Sequence, residues 1–257
     1  MLLSIGRMTA EAAGIVDGRI HSVWLYGSAV LGDFRPGWSD IDLLVLTEAP
    51  ITLNQALALV GLRQTLTEAE PENPYYRIME GIIADAGEYR AGSFSRLVYW
   101  GTTGQRITDR YAPDAFARYQ LALSGKSVYG QSDRRIFEAP SRQELAAAVK
   151  SHYDAIRKYA VRTDERLYSC GWLLDIARGI RTLRHGDVMA KTQAGLWALE
   201  ERLFPDGEPL ERALEIRQDP AAFRDRDDVK QWLKELGPTV QRYADVLEGE
   251  LRAQGML

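Results

Sequence analysis

Cysteine is almost missing from this chain of 257 residues. Cys170 stands alone, so no intramolecular disulfide and no cysteine-based zinc site can form, which fits a reducing compartment. Histidine is nearly as scarce, and His21, His152 and His185 are scattered without metal-ligand spacing. No apolar run reaches the ~18 residues that a membrane-spanning helix needs. The opening "MLLSIGRMTAEAAGIVDG" lacks a charged segment ahead of a sustained apolar stretch, so a cytoplasmic protein with no membrane partner is expected. A long Lys/Arg run is also missing. With 32 basic against 36 acidic residues the net charge is -4, and no basic stripe is present to track a phosphate backbone, which argues against nucleic acid as the partner. There is no internal repeat and no low-complexity tract.

What is present is globular. Hydrophobic residues make up 46% and charged residues 26%, which excludes disorder, and the length suits two modest domains. Residues 8–17 read as a short helix. Val23 to Tyr26 read as a brief strand stopped by Gly27, after which "SAVLGD" can form one or two helical turns before "FRPGW" breaks them. Asp40 to Thr47, "DIDLLVLT", is an apolar strand bounded by turn residues. Leu53, Ala56, Leu57 and Val60 have helical spacing behind Thr52 as a cap, with Gly61 a weak point, and a third strand is expected over residues 76–85. From about residue 141 every periodic segment is helical. The expected fold is therefore α+β: a small mixed sheet with helices over residues 1–135, then an α-helical domain over residues 136–257.

One stretch carries chemistry: "LYGSAVLGDFRPGWSDIDLLVL", residues 25–46. Alternation along a strand puts Asp40 and Asp42 on one face. Two adjacent carboxylates repel unless a cation lies between them, and a hard divalent ion such as Mg²⁺, with its remaining positions filled by water and substrate phosphates, is the natural neutraliser. Gly27 allows close backbone approach, and Ser28 offers a hydroxyl and N–H groups to an anion. In "RIMEGIIAD", Glu80 is a charge inside an apolar strand, which is costly unless it is paired or metal-bound. It is a candidate third metal ligand and general base. Each feature alone is commonplace; in this order they describe a site for a metal–nucleotide complex.

"YGSAVLGDFRPGWSDIDLLV" resembles the Gly-Ser…Asp-x-Asp signature of the DNA polymerase beta-type nucleotidyltransferase superfamily, and "LYGSAV…SDIDLLV" is most similar to the aminoglycoside adenylyltransferases that modify streptomycin and spectinomycin. The resemblance implies a polymerase-beta-like domain followed by a helical one, with Glu80 of "IMEGII" as catalytic base and Asp40, Asp42 and Glu80 as metal ligands. It further implies that ATP is the substrate, held by Gly27, Ser28, Ser39, Arg178 and Lys191. The last two keep the family's thirteen-residue spacing ahead of "KTQAGLWALEERLF", and "SVYG" at 127–130 resembles the family's segment at the domain junction. The acceptor implied is an aminoglycoside hydroxyl, and the cleft is expected between the domains. The family's later nucleotide-binding tyrosine has no counterpart, since Pro220 stands near that place. Asp164 and Trp100 are the candidates for gripping the acceptor, with Trp38 also near the supposed cleft.

The residues also allow plainer roles. Asp175, three residues before Arg178, reads as a surface ion pair, and Cys170 as core. Two further functions stay open: transfer to a protein or tRNA acceptor, as in toxin–antitoxin nucleotidyltransferases, and nucleotide binding without catalysis. Three converging carboxylates speak against the second.

Overall fold

The computed structural model describes residues 1–101 and 104–257. The chain divides into two compact units, Met1–Val30 with Asp40–Ala139, and Leu31–Ser39 with Pro140–Leu257. The loop in the middle of the Gly-Ser…Asp-x-Asp motif thus belongs with the helical unit.

The first unit is built on one six-stranded sheet: β1 (Ile20–Tyr26), β2 (Ile41–Thr47), β3 (Met79–Asp85), β4 (Leu97–Gly101), β5 (Gly104–Thr108) and β6 (Lys126–Gly130), in the order β5-β4-β3-β2-β1-β6. Only β2 and β3 run parallel; all other pairs are antiparallel. A parallel pair needs a crossover. That crossover contains α2 (Leu53–Ala69), which starts from a reciprocal cap: Gln55 N donates to Thr52 Oγ1 at 3.3 Å and Thr52 N donates to Gln55 Oε1 at 2.9 Å. The helix passes through Gly61 without interruption, because Ala56, Leu59, Leu62 and Leu66 on either side of it are buried. An N-terminal helix, α1 (Leu2–Ile15), is longer than residues 8–17.

Alternation gives the sheet two distinct faces. Trp24, Tyr26, Leu44, Leu46, Ile82, Ala84 and Leu97 form one core with Leu121 of α4 (Ala115–Leu123) and with Ile136. Trp100 points the other way, where its indole Nε1 donates to Leu59 O of α2 at 3.1 Å. Three strands beyond the expected ones complete the sheet. β6 includes the "SVYG" segment and pairs with the outer edge of β1. It is exposed along most of its length, so backbone pairing rather than an apolar pattern makes it a strand. Its final Gly130, at φ +72°, lies where a Cβ would meet His21 O at 2.2 Å. Between β3 and β4 runs the short helix α3 (Ala86–Ala91), capped by Asp85, whose Oδ1 accepts from Glu88 N at 2.9 Å.

Among its described residues the second unit has no strand. It consists of α5 (Arg142–Tyr159), α6 (Tyr168–His185), α7 (Lys191–Glu200), α8 (Glu208–Gln218), α9 (Pro220–Phe223), α10 (Asp227–Lys234) and α11 (Gly237–Ala253). α6 is its hub: Cys170, Leu173, Leu174, Ile176, Ala177, Ile180 and Leu183 are all buried. Cys170 is therefore core, as its sequence context suggests. The motif loop is tied into this unit by Tyr168 Oη, which donates to Trp38 O at 2.9 Å, and by Arg224, which donates to Gly37 O at 2.8 Å. Trp38 is buried, with its ring against Tyr168. Among the described residues no helix is long and apolar enough to cross a membrane.

Candidate active site

The carboxylates gather at one end of the sheet. Tyr26, Asp42 and Glu80 lie in one register row across β1, β2 and β3. Asp40 stands one residue ahead of β2, rather than within it, and Ile41 between the two aspartates is fully buried. That buried anchor fixes the phase of the pair. β3 also starts later than expected, because residues 76–78 form a 3-10 turn, so Glu80 is its second residue.

Gly27 shapes the space beside Asp42. Its φ is +68°, a region that L side chains avoid, and a Cβ there would lie 1.8 Å from Asp42 Oδ2. Only glycine lets the turn close on the carboxylate. The expected helical turn after β1 is a single 3-10 turn, Gly27 to Ala29. This turn offers close backbone approach and the Ser28 hydroxyl rather than a helix dipole.

Glu80 is electrostatically unusual. Burial, first, and the negative charge of Asp40, second, push its carboxyl from 4.5 up to about 7, against the pull of Arg63. Arg63, from α2, donates to Met79 O at 2.8 Å and more weakly to Gly101 O at 3.5 Å, which ties the backbone before Glu80 to the end of β4. Burial lowers the pKa of the Arg63 guanidinium, while the charges of Glu80 and Asp40 work to raise it. The floor beneath the carboxylates is aromatic. Burial foremost, then Tyr111 and Asp42, lifts the Tyr26 phenol well above its ordinary range, and Tyr111 packs 6.4 Å from the Tyr99 ring. The Arg106 guanidinium lies 4.0 Å over Tyr99. Such an environment raises the cost of each charge and so the value of a counter-cation.

The donor set suits Mg²⁺ in kind: hard carboxylate oxygens, a negative Asp40 that works to raise the Glu80 pKa, and a glycine whose missing Cβ leaves Asp42 Oδ2 its space. Among the described residues no group of three or more His, Cys, Asp and Glu side chains is drawn together closely enough to enclose an ion. Mg²⁺ typically takes only one or two carboxylates and fills its octahedron with water and phosphate oxygens, a demand that Asp40 and Asp42 meet.

In the helical unit, Arg178 and Lys191 are brought together by Asp175. Arg178 Nη2 donates to its Oδ1 at 2.8 Å and Lys191 Nζ to its Oδ2 at 3.0 Å. Asp175 is thus not a surface pair; its side chain is only 19% exposed. Burial works to raise its pKa, but Lys191 and then Arg178 outweigh it and hold the carboxyl down at about 2. Burial, with Arg178's charge, lowers that of Lys191. Ser39 is buried, and its Oγ accepts from Arg35 N at 3.0 Å.

The acceptor candidates fare less well. Trp100 is spent on packing against α2, on the sheet face opposite the carboxylates, so it is no wall for a ligand beside them. Asp164 accepts from Arg166 Nε at 2.7 Å and from Ser169 Oγ at 3.0 Å. Sequence reasoning missed Arg63 and the tyrosine floor. Tyr26 was visible inside the motif, but Tyr99 comes to the site on β4, Arg63 on α2 and Tyr111 on the loop before α4, so only the tertiary fold joins them to it.

Two family models cover most of the chain. Residues 14–82 match the nucleotidyltransferase domain, a span that holds Gly27, Ser28, Ser39, Asp40, Asp42 and Glu80. Residues 135–242 match the aminoglycoside adenylyltransferase C-terminal domain and hold Arg178 and Lys191. Among solved structures, the chain is similar to spectinomycin adenyltransferase AAD(9) from Enterococcus faecialis with ATP and spectinomycin. The likeness covers 94% of this chain and 97% of that one, at 18% identity and a TM-score of 0.64, and it speaks for a shared fold. No curated protein matches the chain.

Proposed function

The chain is an aminoglycoside adenylyltransferase-like member of the DNA polymerase beta-type nucleotidyltransferase superfamily, and we propose that it moves AMP from ATP to a hydroxyl of an aminoglycoside-type antibiotic with Mg²⁺ as cofactor. The observation that carries this reading is the register of Asp42 opposite Glu80, beside a Gly27 that only a missing Cβ allows so near.

Glu80 is the base. A carboxyl raised to about 7 is a stronger proton acceptor than an ordinary one, yet still largely ionised above neutral pH. It takes the proton of the acceptor hydroxyl as that oxygen attacks the α-phosphorus in line. The new O–P bond forms as the bond to the bridging oxygen breaks, and the electron pair leaves with pyrophosphate. Asp40 and Asp42 would hold Mg²⁺, which when bound offsets the negative charge of the phosphates and keeps Glu80's neighbourhood from repelling them. Gly27, Ser28 and Ser39 donate to phosphate oxygens, and Arg178 and Lys191 give up part of their pairing with Asp175 to do the same. The C-terminal family match and the antibiotic present in the solved relative support an aminoglycoside-type acceptor. A net charge of -4 is compatible with polycationic molecules.

The test is pyrophosphate release from Mg·ATP with streptomycin, spectinomycin, other aminoglycosides, a lincosamide and no acceptor. Release that depends on one antibiotic and is lost in Asp42→Asn is expected. Release that follows added tRNA or protein instead would replace the acceptor assignment.

A further inference from the structure

We propose that Asp33 is a positioning residue for the nucleotide: from inside the motif loop it caps the helix that begins at Lys191, so that this lysine and the loop carrying Ser39 form one rigid piece. The proposal rests on the reading of Lys191 as a phosphate ligand.

α7 cannot cap itself. Its N-cap residue is Ala190, which has no side-chain acceptor, so the N–H of Thr192 in the first turn would go without a partner. Asp33 supplies one from 159 residues away: Thr192 N donates to its Oδ2 at 3.2 Å and Thr192 Oγ1 to its Oδ1 at 2.5 Å. Arg217 of α8 completes the frame, donating to Asp33 Oδ2 at 2.8 Å, to Asp33 O at 3.2 Å and, through Nε, to Thr192 Oγ1 at 3.2 Å. Its guanidinium also lies 5.4 Å from the centre of the Trp38 ring in the same loop. Burial acts to raise Asp33's pKa, yet the hydrogen bonds from Thr192 and Arg217 keep it below the usual carboxylate range.

Asp33 is 3% exposed and Arg217 2%, so both charges are fully withdrawn from water. A buried pair of this kind is poor stability value, because desolvation cancels most of the attraction. What it does supply is direction. A negative group at a helix N-terminus is favoured by the helix dipole, and four hydrogen bonds from three donor groups converging on one residue leave the loop a single position. Lys191 is the residue immediately before Thr192, with its Nζ already steered by Asp175. Fixing Thr192 fixes the root of that lysine.

The experiment compares Asp33→Asn/Arg217→Met, which removes both charges so that neither is buried alone, with Thr192→Val and with Lys191→Ala. Titration calorimetry gives ATP affinity, steady-state transfer gives KM and kcat, and amide hydrogen exchange reports on Thr192. In the double variant, exchange at Thr192 is expected to speed up about tenfold and the Kd and KM for ATP to rise about tenfold, while kcat and the acceptor KM change less than about twofold. Thr192→Val, which removes only the hydroxyl contacts, is expected to show the same split at about threefold, and it carries the test if the double variant fails to fold. Unchanged exchange and ATP affinity in folded variants, alongside weakened binding in Lys191→Ala, would overturn the role of Asp33 alone. Unchanged ATP binding in Lys191→Ala would overturn the phosphate reading and this proposal with it.

Discussion

Asp42 and Glu80 stand directly opposite each other on the parallel strands β2 and β3. Residues so paired share a sheet face, and here two acidic residues occupy one row where the neighbouring row is Leu44 and Ile82. A fold that only needed stability would not place like charges there. Removing either carboxylate is expected to cut transfer sharply without unfolding the protein. Glu80→Gln should lower kcat by about 10²- to 10⁴-fold with little change in the KM for ATP, the usual share of a general base. Asp42→Asn should abolish turnover. Pyrophosphate-release kinetics with circular dichroism as a folding control check both.

Gly27→Ala is expected to be nearly as damaging as loss of Asp42, for a steric reason. The new methyl would occupy the place of Asp42 Oδ2, and the backbone at φ +68° adds strain of about 1–3 kcal/mol. Thermal unfolding should show the strain and the transfer assay a loss of at least ~100-fold, the cost of misplacing a catalytic group. Wild-type activity in this variant would remove Gly27 from the site.

How much of this was legible in the sequence depended on whether the signal was local. Leu44, Val45 and Leu46 make β2 a strand wherever it is placed, and Thr52 with Gln55 makes a helix start. The same holds for Asp40, Asp42, Gly27 and Ser28, which sit in one short motif. β6 was read only as a family-like segment because Lys126 to Gly130 has no buried face; it is a strand through its ladder to β1. Trp100 looked available because its partner Leu59 O lies on a helix, 41 residues away. Asp175 looked like a surface acid because its second cation, Lys191, is 16 residues off in another helix. Ionic frames of this kind have no periodicity for a sequence to reveal.

The raised pKa of Glu80 has a signed effect on stability. Its folded value of about 7 exceeds the ordinary 4.5, so the folded state holds the proton more tightly than the unfolded chain does. In metal-free protein this group's contribution is most favourable below pH 4.5 and is lost as pH rises through about 7. Glu80→Gln carries no such dependence. Melting scans in chelator should therefore show little difference between the two proteins at pH 4.5 and a higher midpoint for the variant at pH 8. Added Mg²⁺ should narrow that gap. Parallel curves at all pH values would contradict the assignment.

Asp175→Asn leaves Lys191 and Arg178 as close, mostly buried cations without their shared counter-charge. Breaking a buried pair in this way costs about 3–5 kcal/mol. Anions should repair it in part, so ATP is expected to raise the melting temperature of the variant by more than it raises that of the wild type. Equal shifts in the two proteins would separate these cations from the nucleotide.

Mass spectrometry of the antibiotic after incubation with Mg·ATP tests the central claim most directly, run in parallel with wild type, Glu80→Gln and Asp42→Asn. The expected result is one AMP added to an aminoglycoside-type molecule by the wild type, to none by Asp42→Asn, and by Glu80→Gln only at a rate lowered about 10²- to 10⁴-fold. AMP found instead on a protein or an RNA, with every antibiotic unmodified, would contradict it.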